Sequence, residues 1–379
     1  MESYLSFARA HEREIIALIR ELVECESPSF DTAAVNRFVE LIADKLASFG
    51  KVKTFPGGRF GKNLRCEFRL PGRKKDGQLL ALGHSDTVWS IGTLQQMPFR
   101  EADGRLWGPG VLDMKSGIVF FLFALRALVE LDRPVRRQVV LQLNCDEEVG
   151  SETSRPLTEE AARKSAAVLV LEPGTGLSGK LKTARKGVGD YTVTVKGRAA
   201  HAGVDFGAGA SAILELARQI ERIATFTQLS RGVTVNPGVI SGGTRTNVIA
   251  AEARAEIDIR VLREKDAPAL DKKFRSLRPF DKRCLIQVEG GLNRPPMERS
   301  AGIRALFKTA KSLARKIGVE LEESTTGGGS DGNFTAALGV PTLDGLGGVG
   351  EGAHAANESI LIDRIADRTA LLAGLVEAL

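Results

Sequence analysis

The sequence predicts an α/β protein: a mainly parallel sheet covered on both faces by helices, into which a second, antiparallel α+β domain is inserted. Three observations carry this. Apolar runs of strand length at 78–82, 138–143 and 167–171 alternate with helical stretches as far as Glu172, the order that builds a parallel sheet with its ligands at the carboxyl edge. From about Gly187 to Val288 the pattern changes to two-residue alternation in the order β-α-β-β-α-β, which gives an antiparallel sheet with helices on one side. A length of 379 residues, 43% of them apolar and only 6% aromatic, exceeds one ordinary domain and supplies a sizeable core.

Along the chain, Ile15, Ile16, Ile19 and Leu22 share one face of an amphipathic helix. His11 lies on a polar stretch near the start and is expected to be solvated. The run 78–82 is a buried strand that ends in Gly83-His84. The most apolar run, 118–125, is interrupted by Arg126 and falls far short of the ~20 residues a membrane helix needs, so it is expected as a buried helix. Two further buried strands, 138–143 and 167–171, complete the first half. The inserted part reads as a strand at 191–197, a helix at 211–223, strands at 233–240 and 253–262, a helix near 267–277 and a strand at 284–288. A helix at 301–317 and a last one near 362–376 return to the first domain. The expected boundaries are 1–184 with 291–379 for that domain, and 185–290 for the insertion.

The formal charge of +6 comes from basic residues spread through loop-like runs such as 72–75 and 133–137. No aromatic platforms accompany them, so a nucleic-acid partner is not expected. A mildly basic surface instead draws in anionic substrates. Cys25, Cys66, Cys145 and Cys284 show no CxxC spacing, which fits reduced core thiols in a reducing compartment. Met1-Glu2-Ser3-Tyr4 lacks the basic start and apolar core of a signal peptide. A cytoplasmic protein that does not enter a membrane is expected.

The chemistry concentrates at strand ends. His84 and Asp86, two residues apart in Gly83-His84-Ser85-Asp86-Thr87-Val88, point the same way, so Asp86 can hold one ring nitrogen while the other faces a metal. Alone, the pair reads more readily as a strand end whose His and Asp bind each other. Asp113 follows a glycine-rich loop, 108–110, that leads into the apolar helix. Cys145-Asp146-Glu147-Glu148 puts three consecutive acids after the strand 138–143, and Glu172-Pro173-Gly174 ends the strand 167–171. Solvated loop acids are common, yet a divalent cation better explains carboxylates crowded at the rim of a buried sheet. His354 sits in Gly350-Glu351-Gly352-Ala353-His354, where glycines let the backbone turn tightly. Two imidazoles and three carboxylates suit a pair of divalent ions with Asp113 as the natural bridge. Nitrogen and oxygen ligands without thiolate favour zinc, and Co²⁺ or Mn²⁺ would also fit. Glu147 is left over as a general base.

In this order, His84-Ser85-Asp86, Gly110-Val111-Leu112-Asp113-Met114-Lys115, Asp146-Glu147-Glu148, Glu172-Pro173, Gly197-Arg198-Ala199-Ala200-His201-Ala202-Gly203, Gly327-Gly328-Gly329-Ser330-Asp331 and Gly352-Ala353-His354 resemble the M20 family of zinc exopeptidases and amidohydrolases. The resemblance spans almost the whole chain and looks most like the glutamate carboxypeptidase branch. It implies a zinc-exopeptidase-like catalytic domain and a ferredoxin-like inserted domain that serves as lid and dimerisation surface. It implies one zinc on His84, Asp113 and Glu172, a second on Asp113, Glu148 and His354, Asp86 orienting His84, and Glu147 as catalytic base. It further implies a homodimer in which His201 reaches a neighbouring subunit's centre and helps hold the oxyanion. Arg260 matches a residue that grips a substrate carboxylate, and Asn247 and Gly329 match residues lining the substrate. The implied substrate is a small peptide or N-acyl amino acid. An N-acyl-amino-acid deacylase and a non-catalytic dimeric binding protein are the alternatives. One departure stands out: where many relatives have a second aspartate after the bridging one, joined by a cis peptide, this chain has Met114.

Overall fold

The apolar runs form the middle of a six-stranded sheet. The computed structural model describes residues 1–73 and 75–379; Lys74, in the basic run 72–75, lies outside the described residues. The strand order is Gly50–Pro56, Lys62–Phe68, Gln138–Asn144, Gln78–His84, Ser165–Val170 and Thr342–Leu343. The last four are mutually parallel, and only Lys62–Phe68 runs against its neighbours. Leu79, Ala81, Leu141, Leu143 and Leu169 face the large core, while Leu80, Leu82, Val140, Val168 and Val170 enter a smaller cluster with Ala161 and Ala162. Burial on both faces is why these strands read as near-continuous apolar runs, with Gln142 the one polar residue inside 139–143. Each fully buried Leu or Val among them contributes about 1.5 to 3 kcal/mol.

Parallel register sets His84 beside Asn144 and Leu82 beside Val170. Three strands therefore end at one rim and deliver His84, the acidic turn and Glu172 side by side. The helix Ser116–Glu130 is buried along most of its length and packs beside Ile365–Ala378, in which every residue from Ile365 to Val376 is buried. No helix among the described residues is long and apolar enough to cross a membrane. A small sheet in the order Gly350–Glu351, Ser359–Leu361, Arg105–Trp107 and Arg100–Ala102 ties the His354 loop to the segment before Asp113. His11 is not simply solvated: its Nδ1 lies 2.8 Å from the Phe7 carbonyl and its ring stacks on Phe7.

The chain divides into two compact units. One comprises Met1–Ala184, Arg299–Thr326 and Ser330–Leu379, the other Arg185–Glu298 with Gly327–Gly329. The second unit has a four-stranded antiparallel sheet in the order Thr234–Gly242, Glu252–Val261, Gly187–Lys196, Leu285–Arg294. Its helices, Ala212–Ala224 and Ala267–Arg275, pack on the face carrying Tyr191, Val193, Val195, Ala255 and Ile257. The expected return at 291 falls inside its last strand, which runs to Arg294. Gly290 and Gly291 do not end that strand. A side chain at Gly290 would lie 2.2 Å from the Asp190 carbonyl, so the glycine marks a close approach of neighbouring backbones.

Candidate metal centre

The strand Gln78–His84 carries its last side chain into a buried position, and His84 is 2% exposed. Its Nδ1 lies 2.9 Å from the Asp86 carbonyl oxygen and 3.5 Å from the Asp86 carboxylate. The ring is thus fixed mainly through the Asp86 backbone. The Asp86 carboxylate also grips the acidic turn: it accepts from the backbone N–H of Glu147 and of Glu148, each at 3.2 Å, and from Ser29 Oγ at 2.8 Å.

His84 Nε2, held by these contacts, lies 3.2 Å from Asp113 Oδ1 and 3.4 Å from Glu172 Oε1. On the other side His354 Nε2 lies 3.4 Å from Asp113 Oδ2 and 3.2 Å from Glu148 Oε2. Asp113 therefore presents one oxygen to each imidazole. Two groups of three ligand atoms result, His84 with Asp113 and Glu172, and Asp113 with Glu148 and His354, each group within 4.8 Å. His354 adopts a left-handed backbone, φ 62°, a conformation uncommon for non-glycine residues.

The electrostatics follow from this crowding. Burial opposes a charge on His84, but hydrogen bonds to Asp113, Asp86 and Glu172 outweigh it and hold the ring well above its usual range. Asp113 and Glu148 raise His354 to about 10. Burial pushes Glu148 up, and its Oε1 is buried without a hydrogen-bond partner. Three carboxylates, two imidazoles and one orphaned carboxylate oxygen fit divalent cations.

The Asp113 turn is held by a residue that the sequence reading missed. The buried Glu358 carboxylate accepts from the N–H of Gly110 at 2.9 Å, Leu112 at 2.8 Å and Asp113 at 3.0 Å, and from Trp89 Nε1 at 2.7 Å. Its only sequence signal is its place four residues after His354. The Asp113-Met114 peptide is cis, and Met114 Sδ lies 3.3 Å from the His84 backbone nitrogen. Lys115, also buried, donates to the Cys25 carbonyl at 2.8 Å, and burial lowers it to about 8.

The remaining predicted residues lie in the second unit. His201 and Asn247 are exposed and adjacent: Ala202 N–H donates to the Asn247 carbonyl at 2.9 Å, and His201 bridges Val248. Arg260 is paired with Asp258 at 2.8 Å and donates to the Gly327 carbonyl at 3.2 Å. Gly329 packs against Arg294 and Val188, and its carbonyl accepts from Arg185 at 2.9 Å.

The chain has relatives among known proteins over most of its length. The chain is 29% identical over 346 residues to carboxypeptidase G2 of Pseudomonas sp. (strain RS-16), covering 90% of this chain and 83% of that protein. It is 28% identical over 370 residues to a succinyl-diaminopimelate desuccinylase of Azoarcus sp. (strain BH72), covering 92% and 93%. Its fold is similar to that of aminopeptidase PepT from Bacillus cereus ATCC 10987, with a TM-score of 0.78 at 24% identity over 97% of this chain and 98% of that one. Residues 80–378 match peptidase family M20/M25/M40, and the chain therefore belongs to this family of amide-bond hydrolases.

Proposed function

We propose that the protein is a two-metal exopeptidase or amidohydrolase that cleaves an amide next to a free carboxylate and releases an amino acid such as glutamate. The observation that carries this reading is the pair of ligand clusters sharing Asp113 beside the turn that bears Glu147. His84, Asp113 and Glu172 would hold one ion, and Asp113, Glu148 and His354 the other. Zinc suits these ligands, and Co²⁺ or Mn²⁺ can substitute. When bound, the ions supply Lewis-acid polarisation of the amide carbonyl and make water more acidic.

The chain's own groups supply the rest. Glu147, on a turn anchored by Asp86, takes a proton from water and passes it to the departing nitrogen. Arg260 binds the substrate's free carboxylate with its guanidinium fork, exchanging Asp258 for it. Asn247 and Gly329 line the amino-acid side. His201 stabilises the oxyanion in the centre of a second subunit. The homodimer this needs forms through the second unit, whose helix Ala212–Ala224 exposes Ile213 and Leu214 and whose edge strand Thr234–Gly242 exposes Val239 and Ile240. Cys25, Cys66, Cys145 and Cys284 are free thiols, which supports a cytoplasmic location. Likeness to a desuccinylase over 92% of the chain favours deacylation of an N-acyl amino acid as the second reading.

Glu147→Gln tests the assignment, because the amide keeps the shape and removes the proton transfer. Turnover of an N-acyl glutamate should fall at least ~100-fold, with zinc content by mass spectrometry unchanged. Near-normal turnover would remove Glu147 as the base, and loss of zinc would mean that it and Glu148 exchange roles.

A further inference from the structure

Beside Glu148 the first unit has a cavity of about 420 Å³ lined by Pro28, Phe30, Thr87, Val88, Ile91 and Val149, among others. Five of its ten lining residues, Phe30, Val88, Ile91, Val149 and Pro28, are apolar, and several of the polar groups among the rest are engaged within the protein. Ser29 donates to Asp86, Thr87 N–H to the Ser27 carbonyl and Ser29 N–H to the Thr87 carbonyl. The Asp31 carboxylate accepts from Ala34 N–H and the Ser90 carbonyl from Thr93 Oγ1. Among the described residues that line the cavity there is no lysine, arginine or histidine, and the two charged ones, Asp31 and Glu148, are acidic. Phe30 is 77% exposed, Ile91 51% and Val88 43%, large apolar surfaces left facing solvent around one hollow.

We infer that this cavity is the acyl pocket of the enzyme and that it selects an uncharged apolar acyl group, aromatic or branched aliphatic, over acetyl and over a carboxylated acyl such as succinyl. The inference rests on the amide-hydrolase reading above. Glu148 belongs both to the metal cluster and to the cavity wall, so a group seated there lies next to the amide being cleaved. Apart from the metal ligand Glu148, the one charged residue on its wall is Asp31, and no basic side chain lines it to pair with the substrate's free carboxylate, which leaves the acyl side. For the same reason a second carboxylate on the acyl chain finds no cationic side chain there and lies near Asp31. A ring-sized group covers Phe30 and Ile91 and removes their surface from water.

The zinc-loaded protein is assayed with N-acetyl-, N-isovaleryl-, N-benzoyl- and N-succinyl-glutamate, and with the same acyl series amidated at the α-carboxylate. The expected order of kcat/KM on the acids is benzoyl and isovaleryl above acetyl, with succinyl lowest. Phe30→Ala and Ile91→Ala, both at exposed positions that tolerate truncation, should lower the benzoyl-to-acetyl ratio roughly tenfold or more. Ile91→Lys should raise the succinyl-to-benzoyl ratio by a similar factor. Acids that turn over with no acyl ranking, a ranking led by succinyl, or ratios that none of the three variants moves would each overturn the pocket. Equal turnover of acids and amides with the acyl ranking intact would instead remove the free-carboxylate reading and support the pocket. No hydrolysis of any member would end both.

Discussion

Glu358 offers a direct measure of how much the centre depends on residues that touch no metal. Its carboxylate receives four hydrogen bonds from Gly110, Leu112, Asp113 and Trp89, and it stands in the same loop as His354. One side chain therefore joins the segment carrying Asp113 to the segment carrying the second imidazole. Glu358→Gln keeps the volume but turns an NH₂ group toward one pair of those donors. Two donors then lose their acceptor, at about 1 to 3 kcal/mol each when buried. Unfolding in urea should show a loss of roughly 2 to 6 kcal/mol, and zinc affinity, measured against a chromophoric chelator, should fall about 10- to 100-fold. A folded variant with unchanged zinc affinity would reduce Glu358 to a packing role.

At the scale of elements, the centre depends on how closely the helix Ser116–Glu130 approaches the end of the strand Ser165–Val170. A Cβ on Gly117 would lie 2.0 Å from the Leu171 carbonyl, and one on Gly347 would lie 2.2 Å from the same oxygen. Alanine in a helix interior ordinarily gains up to about 1 kcal/mol over glycine. Here the clash is with backbone that leads straight into Glu172, so sterics win: Gly117→Ala should cost about 1 to 3 kcal/mol in urea unfolding and lower bound zinc. A more stable variant with full zinc content would mean that the helix can retreat without moving Glu172. The strands behind this contact are legible in the sequence because burial on both faces leaves near-continuous apolar runs, and His84, Glu148 and Glu172 are legible because they follow the ends of those runs. The strands Gly50–Pro56 and Arg105–Trp107 leave no such trace, the first half-exposed at the sheet edge and the second too short for a period. Glu358 is illegible for another reason. Its partners are mostly backbone amides, which any sequence possesses. Asp86 was legible as a residue, but its grip on the turn of Glu147 and Glu148 depends on a register between strands that no spacing along the chain encodes.

At the scale of the whole molecule, the proposed catalytic groups are divided between two units: Glu147 belongs to the first, while His201 and Arg260 belong to the second. His201 is exposed on a turn paired with the segment bearing Asn247. If it completes the centre of a second subunit, a defect in His201 and a defect in Glu147 on different chains must complement each other. His201→Ala and Glu147→Gln, each nearly inactive alone, are mixed in equal amounts and allowed to exchange, with hybrid dimers followed by native mass spectrometry. In a hybrid, one centre has both residues damaged and the other has both intact. Random exchange makes about half of the dimers hybrids with one intact centre of two, so the mixture should recover roughly a quarter of the wild-type rate. Recovery that grows in step with the hybrid population assigns His201 to the neighbouring centre. Full exchange without recovery would place its action within its own chain or outside the reaction.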